Sequence, residues 1–306
     1  MTIVNQQPPW QCLGGEKEAG MATGDIAVAR SVDALRQAVA AWRARHERIG
    51  LVPTMGAIHE GHLALVRAAR GGCERVVASL FVNPKQFAPT EDFAAYPRSE
   101  AADLTAFQTA GVDLVFIPTV AEMYPPGFAT SVEIGGVSEG LDGAHRPGHF
   151  VGVATVVAKL LLQCLPDAAY FGEKDYQQLM VVRRLASDLD IPVRIEGVTT
   201  VREGDGLALS SRNAYLSPAE RRTAPLLYRV LCDSAAALTQ DPEAVAATLA
   251  RGIAQLRAGG FAVDYLELRD AADLTAMPQL AGPARLLAAV HIGRTRLIDN
   301  VPVAPA

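Results

Sequence analysis

The sequence predicts an α/β chain in which a parallel sheet is followed by a smaller α+β unit. Three observations carry this. From about Ser31 to residue 200, apolar runs alternate with segments of helical period. The runs are short and continuous rather than alternating, as in strands buried on both faces. Beyond Val201 the texture changes to an Ala-rich helical stretch and then to short alternating strands.

Ser31 is placed to cap a helix over Val32–Val39, whose apolar residues recur at helical spacing. Ile49–Gly56 is a short apolar run that stops at Pro and Gly, as a buried strand entering a loop does. A helix pattern covers His62–Arg70, a second buried strand Arg75–Val82, another helix about Ser99–Ala110, and a third strand Val112–Ile117. Strands separated by single helices imply a parallel sheet with helices on both faces. The order continues with helices over Val153–Leu162 and Tyr176–Asp188 and a strand over Val193–Val198. A helical stretch then runs from Pro218 to Leu256, followed by strands over Val263–Leu268, Arg285–Ile292 and Thr295–Ile298. These short strands with tight connections suggest a small antiparallel sheet carrying helices. The expected organisation is a flexible tail over 1–24, a Rossmann-like domain over 25–200 and a smaller C-terminal α+β domain over 201–306.

Bulk properties narrow the functional classes. Half of the 306 residues are hydrophobic and a fifth are charged, ordinary values for a soluble globular protein. A formal charge of -5 argues against a nucleic-acid binder, which would show a basic face. Cys12, Cys73, Cys164 and Cys232 are widely spaced and form no C-x-x-C pair, which fits a reducing compartment. No apolar run is long and uncharged enough to span a bilayer, and residues 1–24 do not read as a secretion signal. A cytoplasmic protein is expected.

The strongest local signal is Met55-Gly56-Ala57-Ile58-His59-Glu60-Gly61-His62, between a buried strand and a helix. Free backbone N–H groups and the helix dipole favour a triphosphate there, and the two imidazoles can add donors. Gly61 lets the backbone approach a ligand with no Cβ in the way. By itself H-x-G-H is equally a surface loop, and it lacks the H-E-x-x-H spacing of a zinc helix. Gly172-Glu173-Lys174-Asp175 precedes a helix, so Lys174 can face phosphate and Asp175 can accept from ribose hydroxyls. Ser210-Ser211-Arg212 combines two hydroxyls with a guanidinium fork, a set suited to phosphates. Alone, these two segments are also compatible with a solvated turn and a polar loop.

The segment Val52–His62 matches the HIGH-type signature of the class I nucleotidyltransferase superfamily and resembles the pantothenate synthetase (pantoate–β-alanine ligase) family in particular. So, in the same order, do Phe81–Phe87, Phe171–Gln178, Ser210–Leu216 and Tyr265–Leu268, spreading the resemblance from about Val52 to Asn300. Leu209 departs from the family, which usually has Met before the two serines. Leu and Met are close in volume, so an adenine-side contact can survive the exchange.

The resemblance implies an ATP site made of Met55, Gly56, Ala57, Ile58, His59, Glu60, Gly61 and His62, with Gly172, Glu173, Lys174 and Asp175. Val201, Leu209, Ser210, Ser211 and Arg212 complete it. Gln86 and Gln178 are the implied pantoate ligands, with Asn83 beside them for pantoate or β-alanine, and Tyr96, Arg146 and His149 as weaker neighbours. His62, His59, Lys174 and Arg212 take the catalytic roles. The implied reaction joins (R)-pantoate to β-alanine through a pantoyl-adenylate, using ATP and Mg²⁺ and releasing AMP and pyrophosphate. A homodimer is implied. The Ser210–Arg212 loop, at the beginning of the C-terminal part, is placed so that this lid-like part could close over ATP. Another HIGH-type enzyme, such as an aminoacyl-tRNA synthetase, is the competing reading, but it would need an RNA-binding surface that this short acidic chain does not display. A nucleotide-binding regulator that has lost catalysis would not be expected to keep both histidines, the lysine and the serine–arginine loop.

Overall fold

The structure, a computed structural model, describes residues 26–87 and 99–305. The tail expected over 1–24, Cys12 and Tyr96 lie outside the described residues.

Six strands form one parallel sheet: β1 (Ala27–Ala29), β2 (Ile49–Thr54), β3 (Arg75–Leu80), β4 (Leu114–Phe116), β5 (Ala168–Gly172) and β6 (Arg194–Val198), in the order β1-β4-β3-β2-β5-β6. The helices of this part are α1 (Val32–Arg43), α2 (Glu60–Gly72), α3 (Glu100–Thr109), α4 (Val120–Met123), α5 (Leu141–His145), α6 (His149–Cys164) and α7 (Tyr176–Asp188). As expected, Ser31 caps α1, its hydroxyl accepting from the Ala34 N–H.

Helices on both faces follow from the pleat. Along each strand, side chains alternate between two cores. Leu51, Val77, Leu114 and Ala169 pack with residues of α1, α6 and α7, such as Leu35, Val157 and Leu185. Their neighbours Val52, Ala78, Val115 and Ala168 pack with Leu65 and Val66 of α2 and Phe107 of α3. A fully buried Leu or Phe of this kind contributes about 1.5–3 kcal/mol.

The C-terminal part holds α8 (Pro218–Thr223), α9 (Leu226–Gln240) and α10 (Val245–Ala258), then β7 (Ala262–Asp270), β8 (Ala284–Ile292) and β9 (Thr295–Val303) in an antiparallel sheet of order β7-β8-β9. The single Ala-rich stretch expected over Pro218–Leu256 is three helices. Pro225 stands at the α8–α9 junction and Asp241–Pro242 follows α9, each interrupting a continuous helix. One face of this sheet packs Leu266, Leu286 and Val290 against Leu231 and Leu256 of its own helices. The other face sends Tyr265, Leu287 and Ala289 into the core that holds α6 and α7.

Candidate active site

In the parallel sheet β2 is flanked by β3 on one side and β5 on the other. From this pair the chain winds outward in both directions, which is the topological switch point where α/β sheets open a crevice at their carboxyl ends. A cleft lies there, reached by Thr54 and Met55 from the end of β2 and by Phe171 and Gly172 from the end of β5. It encloses about 220 Å³, far more than a few ordered waters need. Its apolar wall comes from Val153, Val156, Val157 and Leu160 of α6.

The loop from β2 to α2 turns sharply. Gly56 has φ +90° and Ala57 φ +53°, two successive left-handed residues. The backbone N–H groups that this turn aligns are those of Ala57 and Ile58, and both donate to the Asp103 carboxylate, at 3.1 and 2.8 Å. Asp103 is buried on α3 and no short motif pointed to it. A Cβ on Gly56 would stand 2.9 Å from Asp103 Oδ2, so glycine is required by conformation and by contact. These two amides, inside the segment expected to bind ATP, are therefore engaged by the protein's own carboxylate.

His59 and His62 correct the same expectation at the helix mouth. His59 is the N-cap of α2, and its Nδ1 accepts from Gly61 N–H at 3.1 Å. His62 Nδ1 accepts from His59 N–H at 3.3 Å, closing a reciprocal capping box in imidazole form. Burial, the His59 neighbour and Lys174 push the His62 ring down to about 3. Burial and Lys174 also lower His59. Both rings are thus neutral near pH 7, bare at Nδ1 and protonated at Nε2. The donors this helix end can offer the cleft are two Nε2–H groups, with Lys174 in the same lining. Gly61 serves this packing too: a Cβ there would stand 2.9 Å from His59 Cε1 and 3.8 Å from Leu209 Cβ. Gly61 itself still lines the cleft, so its missing Cβ makes room for the His59 ring at the edge of that space.

Lys174 sits in a single 3-10 turn, Glu173–Asp175, at the end of β5, with its ammonium 3.8 Å from Asp175 Oδ1. Lys174 and Asp175 line the cleft, as do Val201, Leu209, Ser210, Ser211 and Arg212 on the facing wall. Ser210 Oγ accepts from Arg212 N–H at 3.3 Å and so orients the turn that follows it. Thr199 and Thr200, which no motif singled out, also line this wall.

Gln86 and Gln178 reach the cleft from its other end. Asn83 does not. Its amide donates to Gln86 Oε1 at 3.0 Å and Gly152 O at 3.1 Å, while its oxygen accepts from Lys85 N–H at 3.2 Å and the Tyr124 hydroxyl at 2.8 Å. With both donors and both lone pairs used, Asn83 orients Gln86 instead of lining the cleft. Gln86 Nε2 points at Met55 Sδ, 3.1 Å away. Behind it, Arg146 donates to His149 Nε2 at 3.0 Å, which leaves His149 Nδ1–H to donate to Gln86 O at 2.9 Å. Gly152 lets α6 lie directly on this turn, since a Cβ there would be 2.2 Å from Lys85 O.

The cleft thus gathers Met55, His59, Gly61, His62, Gln86, Gly172, Lys174, Asp175 and Gln178 with Val201 and Leu209–Arg212. Gly56, Ala57, Ile58, Glu60 and Glu173 are outside its lining. The first three shape the loop against Asp103. Glu60 is exposed and paired with Arg67. Glu173 turns to Arg285 of β8, with 2.5 Å between Nη2 and Oε2. Chemically, the arrangement places neutral imidazole donors, a lysine, a guanidinium and hydroxyls around one end of a cleft whose other end is amide-lined and apolar. That suits a polyanion beside a small polar molecule.

Comparisons with known proteins agree with this geometry. A family profile described as Pantoate-beta-alanine ligase matches residues 27–302. Pantothenate synthetase from Paramagnetospirillum magneticum is 58% identical over 280 residues, covering 92% of this chain and 99% of that protein. The solved structure of pantothenate synthetase from Thermus thermophilus superposes with a TM-score of 0.86 at 50% identity, covering 92% of this chain and all of that one (100%). The structure of pantoate-beta-alanine ligase from Francisella tularensis, complexed with beta-gamma ATP and beta-alanine, gives a TM-score of 0.75 at 31% identity over 90% of this chain and 97% of that one.

Proposed function

The chain belongs to the pantoate-beta-alanine ligase family and catalyses the ATP-dependent condensation of pantoate with β-alanine, and we propose that the cleft at the β2–β5 switch point carries both halves of the reaction. The observation that carries this reading is the pair of neutral imidazoles, His59 and His62, set beside Lys174 at one end of an amide-lined cleft.

A carboxylate does not react with an amine at neutral pH because its oxygen leaves poorly. In the first half, the pantoate carboxylate attacks the α-phosphorus of ATP and pyrophosphate departs. The Nε2–H groups of His59 and His62 donate to the α-phosphate oxygens as charge builds there. Lys174, Arg212 and the hydroxyls of Ser210 and Ser211 balance the charge on the departing pyrophosphate. In the second half, the β-alanine amine attacks the acyl carbon and AMP leaves. Gln86, oriented by Asn83, and Gln178 hold pantoate against the apolar wall of α6, so the protein's share is positioning and charge stabilisation. No side chain forms a covalent intermediate.

Magnesium fits as a companion of the triphosphate. Among the described residues no group of three or more His, Cys, Asp or Glu gathers to hold a metal. A small hard cation carried by phosphate oxygens and water needs no such cage, and Asp175 is the carboxylate that lines the cleft. When bound, the ion neutralises charge on the phosphate oxygens. The same reading includes a cytoplasmic setting, a homodimer, and residues 201–306 as a second unit whose Ser210–Arg212 loop closes over ATP.

ATP–pyrophosphate exchange, run with and without pantoate, tests the function. Exchange should require pantoate, and adding β-alanine should yield pantothenate and AMP in equal amounts. Exchange that ignores pantoate would overturn the assignment.

A further inference from the structure

Two adjacent residues of β9 touch both phosphate-side segments of the cleft from behind. Asn300 is buried, and its Nδ2 donates to the carbonyls of Glu173 and Lys174, each at 2.9 Å. Its Oδ1 has no partner among the described residues, so the amide is oriented by those two donations. Asp299, also buried, takes both ends of the Arg202 guanidinium, at 2.6 and 2.8 Å, and accepts the Asn300 N–H at 2.8 Å.

Arg202 belongs to the hairpin that delivers Ser210. It bridges Ala208 in antiparallel fashion, and Leu209 N–H returns to Val201 O at 3.0 Å. Its guanidinium donates to Gly206 O at 3.1 Å and lies 3.8 Å over the Tyr228 ring. Gly206 has φ +95°, and a Cβ there would stand 2.5 Å from Tyr228 Cδ1, so the hairpin tip fits against that ring only with glycine. Together these contacts hold the hairpin to β9 and α9 in one register.

We propose that Asp299 and Asn300 act together as positioning residues for adenylation. Asn300 sets the turn that carries Lys174, and Asp299, through Arg202, sets the hairpin that presents Ser210–Arg212. Successive residues of one extended strand fix the spacing between the two segments, so the lysine and the serine–arginine turn meet the same triphosphate. A buried ion pair is a poor source of net stability, because desolvation offsets much of its attraction. Its bidentate geometry does give a defined orientation. The proposal rests on the assignment of Lys174 and Ser210–Arg212 to ATP.

A double-mutant cycle on the full-length enzyme separates positioning from plain structural support. Affinity for a non-hydrolysable ATP analogue is measured by calorimetry for wild type, Asn300→Ala, Lys174→Ala and the double variant, with melting temperatures as a check on folding. Asn300→Ala is expected to weaken the analogue about tenfold in the wild-type background, within the range for groups in one network. In the Lys174→Ala background it should weaken binding less than about twofold, since the group it positions is gone. Asp299→Asn against Ser210→Ala should show the same pattern. If Asn300→Ala does not fold, Asn300→Ser keeps one donor and is judged by the same criterion. Equal losses in both backgrounds, or no loss in the wild-type background, overturn the positioning role while leaving the ATP assignment intact. Unchanged affinity in Lys174→Ala overturns the ATP assignment itself.

Discussion

His62 Nδ1 accepts the backbone N–H of His59 at 3.3 Å, so the tautomer of the second histidine is set within the first turn of α2. The ring is an N-cap partner and a donor toward the cleft at once. His62→Ala removes both roles. Adenylation should fall by about 10²–10³-fold, the scale for loss of one transition-state donor. Pantoate-dependent pyrophosphate exchange reads this, and a rate near wild type would sink the assignment.

The lowered affinity of these rings for protons has a direct readout. His62 is held neutral down to about 3, mainly by burial, and His59 is shifted in the same direction. In the unfolded chain both protonate near pH 6.5. The unfolded state therefore binds more protons as pH falls below that value, and stability declines from about pH 6.5 toward pH 3. Above pH 6.5 the two states bind protons equally and this contribution is flat. NMR of the ring Cε1–H signals should show no titration of His62 between pH 5 and 8. A midpoint near 6.5 would contradict the capped, neutral ring.

Gln86 reaches the cleft with its orientation set by Asn83. Gln86→Ala should raise the Michaelis constant for pantoate about tenfold or more and leave that for ATP within about twofold, a hydrogen bond to a charged group being worth ~1.5–3 kcal/mol. An effect confined to ATP would refute the placement. Asn83→Asp turns two donors into acceptors facing Gln86 Oε1 and Gly152 O. It should show the same pantoate defect with a lower melting temperature.

Asp103 holds the loop that delivers His59. Asp103→Ala leaves the N–H groups of Ala57 and Ile58 without their acceptor beside a left-handed Ala57. Each abandoned donor costs about 1–3 kcal/mol. Melting temperature should fall and exchange should slow, with Asp103→Asn intermediate because it keeps one acceptor. Unchanged thermal stability would show that the loop holds itself.

Helices with evenly spaced apolar positions that begin and end at clear signals are the easiest to read from sequence, whereas the helix expected over Val153–Leu162 runs over His149–Cys164. Tyr176–Asp188 is a helix to the residue, as its apolar positions at clean helical spacing lead one to expect. β5 escapes such a reading, since Ala168–Gly172 opens on two alanines and carries little apolar weight. β1 is three residues long and shows no period at all. In the site, the motifs mark where chemistry gathers but not which atoms are available. Asn83 belongs to a motif yet is fully bonded inside the protein, and the loop amides of Ala57 and Ile58 are satisfied by Asp103, 46 and 45 positions away. Asn300 is invisible in sequence for the same reason: its role exists only once β9 lies against the Glu173–Asp175 turn.

That contact bears on the order in which the molecule is made. Every strand of the parallel sheet has left the ribosome once Val198 has emerged, and an N-terminal unit can begin to fold while the rest is being translated. The carbonyls of Glu173 and Lys174 must wait roughly a hundred codons more for the Asn300 amide. A nascent chain stalled between those points would carry its histidine capping box while the Glu173–Lys174 carbonyls still lacked the Asn300 amide.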